Sequence, residues 1–183
     1  HLEKRAEILA PAGNFDSVVA AVRCGADAVY LGAKNFSARA SAQNFSLDEL
    51  RQTVVFCHER GAKVYLTLNT SLYDKELVEA AELIKVSANL GIDALIVSDL
   101  GVVSLAREIC PDMPLHASTQ MCVQSTEGVL AAKRLGFDRA VLAREMSRNE
   151  IGDAVQNGGI ETEVFVHGAL CMSVSGQCYL SSI

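Results

Sequence analysis

GADAVYL (residues 25–31), GAKVYLT (61–67), GIDALIV (91–97) and GFDRAVL (136–142) are one phrase written four times. Each opens on a glycine and runs almost at once into a continuous apolar stretch. Glycine adopts a left-handed backbone at little cost, which suits the turn that ends a helix. A continuous apolar run suits a parallel strand covered on both faces. The phrase therefore reads as the end of one helix followed by the whole of the next strand. An αβ rhythm is enough to explain the likeness, without gene duplication.

Working outward, strands are expected at about Ala6–Ala10, Ala28–Gly32, Lys63–Asn69, Ala94–Ser98, Leu115–Ser118, Ala140–Ala143 and Glu163–His167. Helix starts fall between them. Ser46-Leu47-Asp48-Glu49 and Ser147-Arg148-Asn149-Glu150 fit the capping box, and Asn14 and Asp74 are simple cap candidates. Seven βα units in this length leave about 26 residues each, which suits a (β/α)8 TIM-like barrel. A doubly wound sheet is the alternative, but no GxGxxG follows the first strand. The expected architecture is thus α/β, a TIM-like barrel truncated after about seven βα units. Residues 1–183 are expected to form a single incomplete domain from the N-terminal part of a longer parent. Its open edges invite self-association.

The chain has 183 residues, 50% hydrophobic and 21% charged, with a net charge of −6. That is the composition of a globular domain, and a chain of this size buries roughly 70% of its unfolded surface. The acidic balance argues against wrapping nucleic acid wholesale, though a local basic groove remains compatible with it. No apolar run approaches the roughly 20 residues of a membrane span. HLEKRAEILAPAG at the start has no signal-peptide character. With six cysteines and no secretory signal, a reducing, cytoplasmic setting with free thiols or metal ligands is expected.

Chemistry in parallel α/β folds sits beyond the C-terminal ends of the strands. Those ends carry Asn69-Thr70, Ser98-Asp99, Ser118-Thr119-Gln120, Arg144-Glu145 and His167-Gly168, with His116 inside its strand. His116 is either a core histidine satisfied by a carbonyl or a site residue. Arg144-Glu145 is either an ion pair at a helix start or part of the site. Arg39, in the polar stretch 35–40, is either solvated or an anion fork. No Walker loop, HExxH pair or ordered serine triad is present.

Cys24, Cys57 and Cys110 lie in or at the ends of apolar helices and read as core or near-core thiols. Cys171 and Cys178 differ, because the six residues between them include Ser173, Ser175 and Gly176 and can turn both sulfurs to one point. Two thiolates make half of a zinc or iron–sulfur ligand set. A redox disulfide, or a cysteine nucleophile with His167 as base, fits the same residues.

The stretch EVFVHGALCMSVSGQCYLSS resembles the signature of peptidase family U32, the collagenase-like group. EILAPAGN, GADAVYLGAKNFSARA, KVYLTLNT, GIDALIVSDLG, LHASTQM and AVLAREMS extend the resemblance over nearly the whole chain. It is most similar to the larger branch that hydroxylates a cytidine in ribosomal RNA. The resemblance implies an oxygen-independent, prephenate-linked hydroxylase of an RNA base. It also implies a 4Fe-4S cluster in the full-length protein, with Cys171 and Cys178 as two of its four ligands. Without the other two, the fragment is expected to lack the cluster and to be inactive. His116, Gln120, Arg144, Glu145 and His167 would then be catalytic, and Arg39, Asn69 and Thr119 would bind substrate. A collagenase-type peptidase and a non-catalytic binding module are the competing functions.

Overall fold

The computed structural model describes residues 5–32 and 45–168. In chain order the elements are β1 (Leu9–Pro11), α1 (Phe15–Arg23), β2 (Ala28–Gly32), α2 (Leu47–His58) and β3 (Lys63–Leu68). There follow α3 (Leu77–Leu90), β4 (Ala94–Val97), α4 (Leu100–Ile109), β5 (Leu115–Ala117), α5 (Thr126–Arg134), β6 (Arg139–Val141), α6 (Arg148–Asn157) and β7 (Glu161–Glu163). The strands lie in the order β1-β2-β3-β4-β5-β6-β7, all parallel. Strictly consecutive order excludes the doubly wound alternative, in which the order reverses at a switch point.

Contacts across the interior show that the sheet is curled. Glu7, just ahead of β1, accepts a hydrogen bond of 2.8 Å from Arg139 at the start of β6. In a flat sheet those strands would stand about 24 Å apart at the usual spacing. The fold is therefore a TIM-like parallel barrel arc. Strand parity divides its core. Val64, Leu66, Leu68, Leu95, Val97 and Leu115 point outward and pack with Val18, Leu50, Val54, Ile84, Val102, Ala106 and Val129 of the helices. Ala28, Tyr65, Ala94 and Ile96 form a smaller cluster facing inward.

The repeated phrase has a structural use beyond its glycine. Asp27, Asp93 and Asp138, its third residue, each accept the backbone N–H at the start of the preceding strand. The donors are Ile8 (2.8 Å), Val64 (2.8 Å) and Leu115 (2.9 Å). A charge-assisted bond of this kind ties neighbouring strands together at the N-terminal end of the barrel. In the second phrase the position is Lys63, whose ammonium reaches Glu7 instead, at 3.0 Å. The glycine's expected role holds as well: Gly91 closes α3 at φ 83° and ψ 29°, and the other three phrases repeat the positive φ.

Both capping boxes form, at Ser46 with Glu49 and at Ser147 with Glu150, and Asn14 caps α1 through Ser17 N–H. Asp74 does not cap a helix. It lies inside a single 3-10 turn, Asp74–Glu76, which Glu76 closes by accepting from Tyr73 N–H at 2.7 Å.

Three strand assignments need correction: β1 is Leu9–Pro11, starting at Leu9 and not at about Ala6. β6 starts at Arg139, and β7 is the polar run Glu161-Thr162-Glu163, whereas Val164, Phe165 and Val166 are exposed beyond it. Apolar content pointed to the later residues; the Arg139 guanidinium draws the glutamates into register with β6 instead, pairing Arg139 with Glu161. Cys24 is also exposed rather than near-core, because α1 ends there and the chain turns outward at Gly25.

α6 is seated closely on α5. A Cβ added at buried Gly158 would lie 2.5 Å from the Ala154 carbonyl oxygen and 2.5 Å from Val129 Cγ1. Gly158→Ala is therefore expected to destabilise the fold by about 1–3 kcal/mol through overpacking. A urea denaturation midpoint indistinguishable from the parent's would contradict this.

Candidate functional site

The C-terminal rim of the strands collects uncharged polar side chains. Asn69 follows β3, and its Nδ2 donates to Ser118 Oγ at the end of β5, at 3.4 Å. Ser98 follows β4, and its Oγ donates to Gln120 Oε1, also at 3.4 Å. Ser118 caps the short 3-10 turn Thr119–Met121 by accepting from Gln120 N–H. That turn ends at Cys122, which holds a left-handed backbone at φ 53° and ψ 45° without being glycine. Non-glycine residues pay a steric cost there, and such conformations gather at functional sites.

His116 lies beneath this rim. It is 4% exposed, points inward from the middle of β5, and meets the Tyr65 ring edge-on at 4.8 Å between centroids. Its Nδ1 is buried and makes no hydrogen bond. Burial, with the nearby positive charge of Arg139, pushes the imidazole down to about 4, so it is neutral at physiological pH.

Below His116, towards the N-terminal end of the barrel, sits a charged cluster that the sequence reading did not identify. Arg139 donates to Glu161 Oε2 through Nε (3.1 Å) and Nη2 (2.7 Å), and through Nη1 to Glu7 Oε1 (2.8 Å) and Glu163 Oε2 (3.4 Å). Its guanidinium carbon lies 5.3 Å from the Tyr65 ring centroid, and the Tyr65 hydroxyl donates to Glu7 at 2.7 Å. Burial alone would raise the Glu7 carboxyl. The hydrogen bonds from Arg139, Tyr65 and Lys63 outweigh it and hold the group at about 2. Glu163 is shifted the other way, raised by burial that Arg139 only partly offsets. The available signal was a single arginine at the start of an apolar strand phrase, where two of its counterparts are Ala28 and Ala94.

The sequence-predicted residues thus divide into groups. Asn69, Thr119 and Gln120 lie at the rim, half-buried, and His116 lies under it. Arg144 and Glu145 are exposed past the end of β6. His167 is exposed beyond β7, farther along the chain than a strand ending at His167 would place it. Asp99 is occupied by backbone, accepting from Gly101 and Leu72 N–H as the cap of α4. Arg39, Cys171 and Cys178 lie outside the described residues.

Among the described residues, no group of three or more His, Cys, Asp or Glu side chains is placed to hold a metal ion. Cys57 is a core thiol pushed up to about 11, by burial first and by Asp93 second. Cys110 packs against the core and Cys122 is half-buried at the rim. Cys171 and Cys178 lie outside the described residues; thiols are the donor type that an iron–sulfur cluster takes. No helix among the described residues is long and apolar enough to cross a membrane.

Comparison with known proteins places this arrangement among its relatives. The chain is 43% identical, over 97% of its length, to a 23S ribosomal RNA 5-hydroxycytidine synthase of Escherichia coli, of which it covers 26%. It is 39% identical to tRNA hydroxylation protein P of Helicobacter pylori, over 97% of this chain and 42% of that protein. It is 36% identical to a collagenase of Porphyromonas gingivalis, over 96% and 44% respectively. The chain thus spans less than half the length of these relatives. Among solved structures, a U32 peptidase superimposes with a TM-score of 0.72 at 15% identity, over 90% of this chain and 71% of that one, which is a likeness of fold. The model of peptidase family U32 matches residues 13–183, and the chain belongs to that family.

Proposed function

We propose that this chain is the barrel portion of an enzyme that hydroxylates a base in RNA. The observation that carries the reading is the identity, over nearly the whole chain, to proteins named for hydroxylation of ribosomal and transfer RNA. The rim is compatible with it, because its neutral amides and hydroxyls offer donors and acceptors to a nucleobase edge. No serine triad or HExxH pair accompanies it in the sequence.

In this reading Cys171 and Cys178 hold one side of a 4Fe-4S cluster, with two further ligands from elsewhere in the full-length protein. When bound, the cluster would supply one-electron redox chemistry. Arg39 and Arg144 would take the carboxylates of prephenate as hydroxyl source. His116, Asn69, Thr119 and Gln120 hold the base, and Glu145 and His167 stand at the edge. With a net charge of −6, most of the phosphate contact falls to other parts of the full-length protein. RNA as substrate implies a cytoplasmic setting.

Deletion of the gene, followed by mass spectrometry of digested ribosomal and transfer RNA, tests the reading. Loss of one hydroxylated nucleoside is expected, restored by the full-length gene and not by its Cys171→Ala form. An unchanged nucleoside profile would refute it. The relative named as a collagenase keeps a peptidase in view. Cleavage of denatured collagen by the purified full-length protein, abolished by Cys171→Ala or His167→Ala, would favour that instead.

A further inference from the structure

We propose that Asn69, Ser98, Ser118, Gln120 and His116 form a subsite for the hydrogen-bonding edge of an uncharged heterocyclic base, with His116 as its floor and as a hydrogen-bonding partner, not an acid. The inference rests on the RNA-base reading above and goes beyond it by naming what the barrel interior recognises.

Three observations carry it. First, Asn69, Ser98, Ser118 and Gln120, which follow β3, β4 and β5, are amides or hydroxyls that offer donors and acceptors and no net charge, while the Asp99 carboxylate beside them is taken up by backbone N–H groups. A phosphate or carboxylate would find no cation among them. Second, their bonds to one another are long. Asn69 to Ser118, Ser98 to Gln120, and Gln120 N–H to Ser118 all measure 3.4 Å, beyond the usual range. Such pairs exchange readily for shorter bonds to a ligand. Third, His116 lies directly below Ser118 in strand parity, 4% exposed, with Nδ1 unpaired. Buried polar atoms in folded proteins are nearly always paired, so an orphan at this place calls for a partner. The atom is closed off in this structure, and the weakly held Ser118–Gln120 turn follows directly on the strand that carries it, so a ligand would reach it by displacing that turn.

The charges around His116 explain why it stays neutral. Arg139 and Asp138 bear on it from β6 and its leading turn, Glu161 from β7, and Glu7 from ahead of β1. From β3 it meets the Tyr65 phenol, and its register partner on β4 is the apolar Ile96. Burial and Arg139 together favour the neutral ring over the carboxylates' opposite pull. A neutral imidazole donates at one nitrogen and accepts at the other, as an amide does, and this matches a base edge.

The test is calorimetric titration of the full-length protein with cytidine at pH 6 and pH 8. Wild-type affinity is expected to change less than about threefold between the two, since His116 is neutral at both. His116→Phe, which keeps the ring and removes the nitrogens, should weaken binding about tenfold or more. His116→Gln should stay within about threefold, because its amide restores a donor and an acceptor. Inorganic phosphate should not compete. Should His116→Phe fail to fold, Asn69→Ala and Ser118→Ala are expected to weaken cytidine binding severalfold without changing the melting temperature of the protein appreciably. Cytidine that does not bind, binding that tightens at pH 6 only while His116 is present, or unchanged affinity in these variants would each overturn the proposal. If the gene deletion still removes a hydroxylated nucleoside, the subsite alone has failed. If it does not, the RNA-base reading has failed as well.

Discussion

Arg139→Ala is expected to cost about 3–5 kcal/mol, enough to unfold much of the population at physiological temperature. The side chain is 8% exposed, and its guanidinium is shared by Glu7, ahead of β1, and by Glu161 and Glu163 of β7. Removing it leaves three carboxylates facing one another, two of them less than a quarter exposed. It also takes away the cation over Tyr65. An uncompensated buried charge is among the few single changes with so large a penalty. Arg139→Lys should fall between the two, since it keeps the charge and loses the fork that reaches several oxygens at once. Urea unfolding followed by circular dichroism decides the matter. A midpoint for Arg139→Ala within error of wild type would mean that the cluster contributes nothing net to the fold. The cluster's place at the N-terminal end of the barrel argues for this structural role, because that face of a parallel barrel serves stability while chemistry occupies the opposite end.

The second large effect is a loss of stability as pH falls, in two overlapping stages. His116 titrates near 4 in the fold against a reference of 6.5, so the unfolded chain binds more protons between those values. Its contribution is complete above about pH 6.5 and is lost as pH falls towards 4, amounting to about 3 kcal/mol. Glu7 titrates near 2 against 4.5, and the same reasoning places its loss between about pH 4.5 and 2, again about 3 kcal/mol. Glu163 acts in the opposite sense. Its folded-state value is raised above 4.5, so protonation favours the folded form as pH falls from that value towards 4.5, which offsets part of the first stage. The separation is testable, because His116→Gln should flatten the stability profile between pH 6.5 and 4.5 while leaving the decline below 4.5. A slope in the upper window that His116→Gln leaves unchanged would show that His116 is not buried as a neutral ring.

Much of the architecture was legible because it is local. Capping boxes at Ser46 and Ser147 are decided within four residues, and the phrase glycines act on the turn in which they sit. The extent of β2 follows from its own apolar run, and Ala28–Gly32 was read with its true limits. The rim was legible for a related reason. Once strands are parallel and their ends are known, the residues that follow them share one side of the barrel. Asn69, Ser118 and Gln120 needed no further information.

What escaped the sequence depends on partners far away in the chain. Arg139 and Glu7 are separated by 132 positions and meet only because the sheet curls. β7 is Glu161–Glu163 and not the more apolar residues after it, since pairing with Arg139 outweighs local strand preference. Cysteine positions near helix ends could not tell exposed Cys24 from core-packed Cys110. Short-range periodicity and capping were enough for seven strands, the six helices between them among the described residues and the polar character of the rim. Tertiary structure alone decided which charges are buried together and that His116 stands neutral and unpaired beneath the rim. The reason is that the cost of burying a polar group is set by everything that surrounds it in space.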